Sequence, residues 1–177
     1  TAVGYASLDA NTTGTSNTAV GRNSLGGNTS ASNSTALGHN ALIANTTGDA
    51  NTAVGAAALD ANTTGSHNVA LGNNALTTNI TGIQNVAIGT DSLANHTTNN
   101  TTAVGHDSLK TNTSGDNNTA FGYRALTANT TAANNTAVGS NSLDVNTTGA
   151  NNVAVGSNAL GANTTAANNV AVGNGAL

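Results

Sequence analysis

The chain lacks cysteine, proline, methionine and tryptophan, and its aromatic side chains in 177 residues are one Phe and two Tyr. Without cysteine there are no disulfides and no thiolate-ligated metals. Charge is equally scarce: three Lys+Arg stand against seven Asp+Glu, for a formal net charge of −4. So few basic groups cannot neutralise a phosphate backbone or grip an anionic membrane surface, so binding to nucleic acid or to lipid headgroups has no electrostatic support. No apolar run approaches the eighteen or so residues of a membrane-inserted helix. Leu, Ile, Val and Phe together number 30 of 177, too few for a conventional single core. Yet low charge and the absence of proline also remove the usual signature of a disordered chain.

What the sequence does have is repetition. Gly recurs at 4, 21, 38, 55, 72 and 89, then at 105, 122, 139, 156 and 173. The step is seventeen residues everywhere except for one of sixteen between Gly89 and Gly105. Two residues before each of these eleven glycines stands Ala, and one before stands Val, Leu, Ile or Phe. Four after each stands Leu, preceded by Ala or Ser. Near the seventh position after it an Asn opens "NTT" or a close variant, and a second Asn commonly stands four before the next Gly.

A period of seventeen is too short for helix-pair repeats and suits one coil of a β-solenoid, whose equivalent residues form rows along the axis. The expected fold is therefore all-β: a parallel β-helix or β-roll of about eleven coils, one repeat domain over residues 1–177. Two short strands per coil are expected, one at "TAVG" and one around "ALxAN". Gly, Asn and Thr supply the corners, the first two because they tolerate positive φ. The expected core is the row of residues before Gly together with the Leu row: Val20, Leu25, Val54, Leu59, Leu126, Val138 and Leu143. By the two-residue period of a strand the Ala row then faces outwards. An outward row of invariant small residues implies a close neighbour, so Ala19, Ala53, Ala87, Ala120 and Ala154 are expected to contact another chain. The same stacking logic leads us to expect self-assembly, as a trimer or end to end, in which the chain is a fragment or protomer of a longer fibre.

Acceptor patterns for N-linked sugars recur once per repeat, at Asn11, Asn28, Asn45, Asn62, Asn79, Asn95, Asn112, Asn129, Asn146 and Asn163, with further ones at Asn33, Asn99, Asn100, Asn117 and Asn134. Duplication of one structural corner would copy such a pattern whether or not a sugar is attached. Rows beginning at Thr12 and Thr13 offer a second reading, an ordered array able to bind ice or carbohydrate. No chemistry of catalysis emerges: the acids are dispersed, no Ser-His-Asp grouping recurs, and only His39 and His106 share a repeat position, four coils apart. Neither an enzyme nor any cofactor or metal is expected. Tyr5, Arg22, Tyr123 and Arg124, at or beside the bend after Gly, are candidate surface contacts.

The copies "NTAVGAAALDANTTGSHNVALGNNAL" and "NNTAVGSNSLDVNTTGANNVAVG" resemble the shaft repeats of bacterial and phage tail-fibre-like proteins. "NVAIG" at Asn85 to Gly89 is similar to the core of head repeats in trimeric autotransporter adhesins. The resemblance implies an extracellular, trimeric β-roll used for attachment at a cell surface or in a virion fibre. The coil here is longer than the adhesin head repeat.

Overall fold

Because the motif returns every seventeen residues, each short strand lies beside its own copy in the next coil. The computed structural model, which describes Thr1–Leu177, holds eleven strands and no helix. They are β1 Ala2–Val3, β2 Thr18–Val20, β3 Thr35–Leu37, β4 Thr52–Val54, β5 Val69–Leu71, β6 Val86–Ile88, β7 Thr102–Val104, β8 Thr119–Phe121, β9 Thr136–Val138, β10 Val153–Val155 and β11 Val170–Val172. All pair in parallel and in sequence order in one sheet. Register is residue on residue, with Thr35 beside Thr52, Ala36 beside Ala53 and Leu37 beside Val54. The chain is a β-solenoid. Coils are numbered here from the reference glycines, so that coil one starts at Gly4 and coil six at Gly89.

One strand per coil forms, not two. The segment around "ALxAN" is a turn in which every Leu from Leu8 to Leu160 takes a φ of 49–54°. That left-handed conformation costs an L-residue roughly 1–2 kcal/mol, whereas burying a Leu side chain yields about 1.5–3 kcal/mol. The turn points Leu25, Leu42, Leu59, Leu76, Leu93, Leu109, Leu126 and Leu143 into the interior, each fully buried. Regular hydrogen bonding continues through it: Leu59 N–H donates to the Ala75 carbonyl at 3.0 Å, one coil on. Of 114 backbone hydrogen bonds only 19 run strand to strand, and most of the others also join successive coils.

The two faces of the strand are the reverse of the sequence expectation. Ala19, Ala53, Ala87, Ala120 and Ala154 are fully buried inside the coil, so they contact no neighbouring chain through an outer surface. Val20 and Val54 are half-buried and Val138 is 39% exposed, on the outside of the sheet. The cause is volume. A coil of seventeen residues already encloses one Leu and two Asn, and opposite them there is room for a methyl group only. The close approach that demands a small residue is internal.

Candidate functional site

The "NTT" corner is a buried amide ladder. Asn62 Nδ2 donates to Asn45 Oδ1 at 2.8 Å and to its own coil's Gly65 carbonyl at 2.9 Å. Asn28 repeats this onto Asn11 at 2.7 Å, and Asn129 onto Asn112 at 2.9 Å. Asn28, Asn45, Asn62, Asn79, Asn112, Asn129 and Asn146 are fully buried; Asn11 and Asn163, in coils one and ten, are partly so. A sugar on Nδ2 would need the atom that makes both bonds and a space that the neighbouring coils fill. For the buried seven, folding and glycosylation exclude each other, and the sequon row reads as structure.

Asn95 does not belong to this row. Counting seven from Gly89 reaches His96, and it is the imidazole of His96 that is fully buried in the ladder, with Asn95 exposed beside it. Asn112 Nδ2 donates to His96 Nδ1 at 2.9 Å. The missing residue of the short coil comes from this same corner: Asn85 Nδ2 donates to the Thr98 carbonyl at 2.7 Å as Asn68 Nδ2 does to that of Gly82 at 2.8 Å. "NTTG" has become "HTT".

A second ladder runs through the first Thr of the corner. The hydroxyl of Thr12 donates to the Thr29 carbonyl at 2.9 Å, and Thr46 to that of Thr63 at 3.0 Å. The series continues at Thr113, Thr130 and Thr147. These hydroxyls join coils and are not a free array. The other recurrent Asn, buried at Asn51, Asn68, Asn118, Asn135 and Asn152, ties coils in the same manner: Asn51 Nδ2 reaches the Gly65 carbonyl at 2.7 Å, and Asn51 Oδ1 accepts from Asn68 N–H at 2.9 Å.

Besides the second Thr or Ser of the corner, a row that runs from Thr13 to Thr165 and is exposed except at Thr98, two surfaces remain open to partners. The first is the outer strand face, made of two columns. One reads Thr18, Thr35, Thr52, Val69, Val86, Thr102, Thr119, Thr136, Val153 and Val170; the other runs from Val3 to Val172 and includes Leu37, Leu71, Ile88 and Phe121. Neither column holds a charge in any coil, whereas the two positions after Gly vary freely. Leu37 is 46% and Phe121 47% exposed, more than an interior residue and less than a free one. The second is a column of positive-φ residues five before Gly, exposed except for the half-buried Ala50, which includes the sequons Asn33, Asn100, Asn117 and Asn134.

Charged groups make one local cluster. Lys110 Nζ lies 3.0 Å from Asp91 and 2.9 Å from Asp107. The hydrogen bond from Lys110 holds the Asp91 carboxyl below its ordinary range, and the bonds that Lys110 donates to Asp107 and Asp91 raise its own pKa. The His106 ring stacks on Tyr123 at 5.8 Å between centroids, and Arg124 is exposed beside it. Tyr5 and Arg22 lie exposed in coils one and two, remote from that group. No set of three or more His, Asp or Glu side chains is placed to hold a metal ion, and the surface has no pocket. The chain matches no protein-family model, no curated protein and no solved structure.

Proposed function

We propose that this chain is a structural shaft segment of an extracellular fibre whose protomers associate sideways through the outer strand face. What carries this reading is the constancy of that face: its two columns stay uncharged and mostly β-branched through all eleven coils, while the bend positions just after Gly drift. β-Branched side chains are stiff and lose little freedom when covered. A face without charge meets a second copy of itself without repulsion. Ten steps of about 4.8 Å make it roughly 48 Å long, and two columns with their flanks are about 12 Å wide. Pairing two copies would bury on the order of 1,100 Å² in total, just above the roughly 1,000 Å² expected of a specific interface. The likeness of the repeats to tail-fibre shafts and adhesin heads supports the same reading.

The test is solution mass. The native chain is expected to be a dimer or trimer by sedimentation, and the double variant Val138→Lys with Val155→Lys a monomer with an unchanged circular dichroism spectrum. A native chain that sediments as a monomer would sink the proposal.

The free hydroxyls of the strand Thr column favour a second reading, a binding module for ice or carbohydrate on this face. Thr18, Thr35, Thr52, Thr102, Thr119 and Thr136 lie on the outer strand face, and their side chains are not among those that join coils by hydrogen bonds, unlike the hydroxyl of Thr12. Thermal hysteresis by a monomeric native chain would favour it over the shaft.

Glycans, where the fibre is made in a compartment that attaches them, belong on the exposed column. Protein secreted from a glycosylating host is expected to exceed the bare 17.0 kDa by sugars at Asn33, Asn100, Asn117 or Asn134. Peptide mapping is expected to find Asn45, Asn62 and Asn129 unmodified in folded material; occupied ladder positions would contradict the buried ladder.

A further inference from the structure

Coil six is the one place where the amide ladder is interrupted, and the interruption is chemically one-sided. An Asn offers its neighbours a donor and an acceptor; a neutral imidazole ring in its place offers the ladder one nitrogen, Nδ1. Here Nδ1 accepts from Asn112 Nδ2, which puts the proton on Nε2. The bond that would run from coil six back to coil five is therefore absent. Asn79 Oδ1, His96 Nε2 and Thr98 Oγ1 are buried with no hydrogen-bond partner in the chain, three of only four such side-chain atoms in the molecule. The shortened corner, the substituted ring and the orphaned atoms coincide.

We propose that coil six is an acid-labile joint: protonation of His96 severs the internal ladder between Asn79 and Asn112, so that the solenoid opens there while the coils on either side stay closed. An imidazolium carries a proton on Nδ1 and meets the amino group of Asn112 donor to donor. Asn112 cannot turn its amide over to help, because its Oδ1 accepts from Asn129 Nδ2 at 2.9 Å and from Gly115 N–H at 3.2 Å. Turning the ring gives Nδ1–H to Asn79 and takes the acceptor from Asn112, which exchanges one orphan for another and leaves the charge buried.

Few charges surround the ring. Coil five, from Asn73 to Ile88, has no titratable side chain; coil six has Asp91 besides His96 itself; coil seven has His106, Asp107, Lys110 and Asp116. Burial holds the His96 pKa down at about 4, with Asp116 the one charge that acts to raise it. In a solenoid each coil touches only its neighbours, so a fault in one coil need not unfold the rest. Histidine in the opened coil regains its ordinary pKa near 6.5, so the closed form binds fewer protons. Closure is complete above about pH 6.5 and is lost as pH falls towards 4.

Hydrogen exchange of the native chain, corrected for intrinsic rates, reads this directly. From about pH 7.5 to about pH 4.5 the protection factors of Leu93, His96 and Thr97 amides are expected to fall about 70-fold more than those of Leu25 and Leu143. The hydrogen bond from Lys110 lowers the Asp91 pKa and so keeps that carboxylate of coil six ionised as the acid response develops. His96→Asn restores a donor towards Asn79 and is expected to abolish the local acid response without changing distant coils. Uniform loss of protection along the native chain, or full protection of coil six at the lower pH, overturns the joint, even if the variant fails to fold. An unchanged acid response in a folded His96→Asn chain overturns the assignment to His96.

Discussion

Gly72→Ala is expected to destabilise the solenoid by about 4 kcal/mol, enough to unfold the central coils at ambient temperature. Gly72 has a φ of 141°, in a region that L-residues rarely enter. A Cβ built there would stand 2.5 Å from the carbonyl oxygen of Gly89 and 2.6 Å from its carbon. That neighbour is backbone, and it cannot retreat, because Gly89 N–H donates to the Leu71 carbonyl at 2.7 Å in the same ladder. Strain at the φ and collision with the next coil thus add. Thermal unfolding followed by circular dichroism measures the effect; a midpoint within a few degrees of native would mean that the coils separate more readily than their hydrogen bonds imply.

This glycine also shows why the coil was legible in the sequence. Its recurrence marks the place where backbone meets backbone once per turn, and no other residue fits there. The period of seventeen, the parallel order of the strands and the corner role of "NTT" all follow from identities that the geometry leaves no freedom to vary. The orientation of Thr-Ala-Val was not legible in the same way. Alternation says that Ala19 and Val20 face opposite sides, but which side is inner depends on the volume left by Leu25 and the two Asn, a quantity set by the closed coil. Nor did composition disclose the turn at Leu, since a bulky side chain at positive φ runs against local preference and is held by burial.

The candidate site divides on the same ground. Sequons are patterns of three residues and carry no record of burial, so Asn62 and Asn134 read alike although one lies inside the ladder and the other on the surface. Asn95 satisfied the pattern and broke the count: seven residues after Gly89 stands His96, and the count from Gly was the physical signal. The outer strand face was present in the sequence as the column before Gly, and only the closed coil shows that this column lies outside and not in the core.

The interior is therefore held by two materials, an apolar Leu row and a hydrogen-bonded Asn row. Asn62→Asp isolates the second, because the side chains have the same shape. It removes the two hydrogens that Asn62 Nδ2 gives to Asn45 Oδ1 and the Gly65 carbonyl, and places a carboxylate oxygen against each acceptor. No cation stands in coils three to five to compensate. An uncompensated buried charge of this kind costs about 3–5 kcal/mol, so a large loss of stability is expected at neutral pH. Its pH dependence should run opposite to that of His96. The buried carboxyl has its pKa raised above the unfolded value, so the folded state binds the extra proton and the deficit shrinks as pH falls through the raised pKa. One regained O–H donor restores at most one of the two bonds. Denaturant unfolding of Asn62→Asp at neutral and mildly acidic pH, in a His96→Asn background to silence coil six, is expected to show stability rising with acid. Equal instability at both would mean that loss of the donor, and not the charge, dominates the ladder.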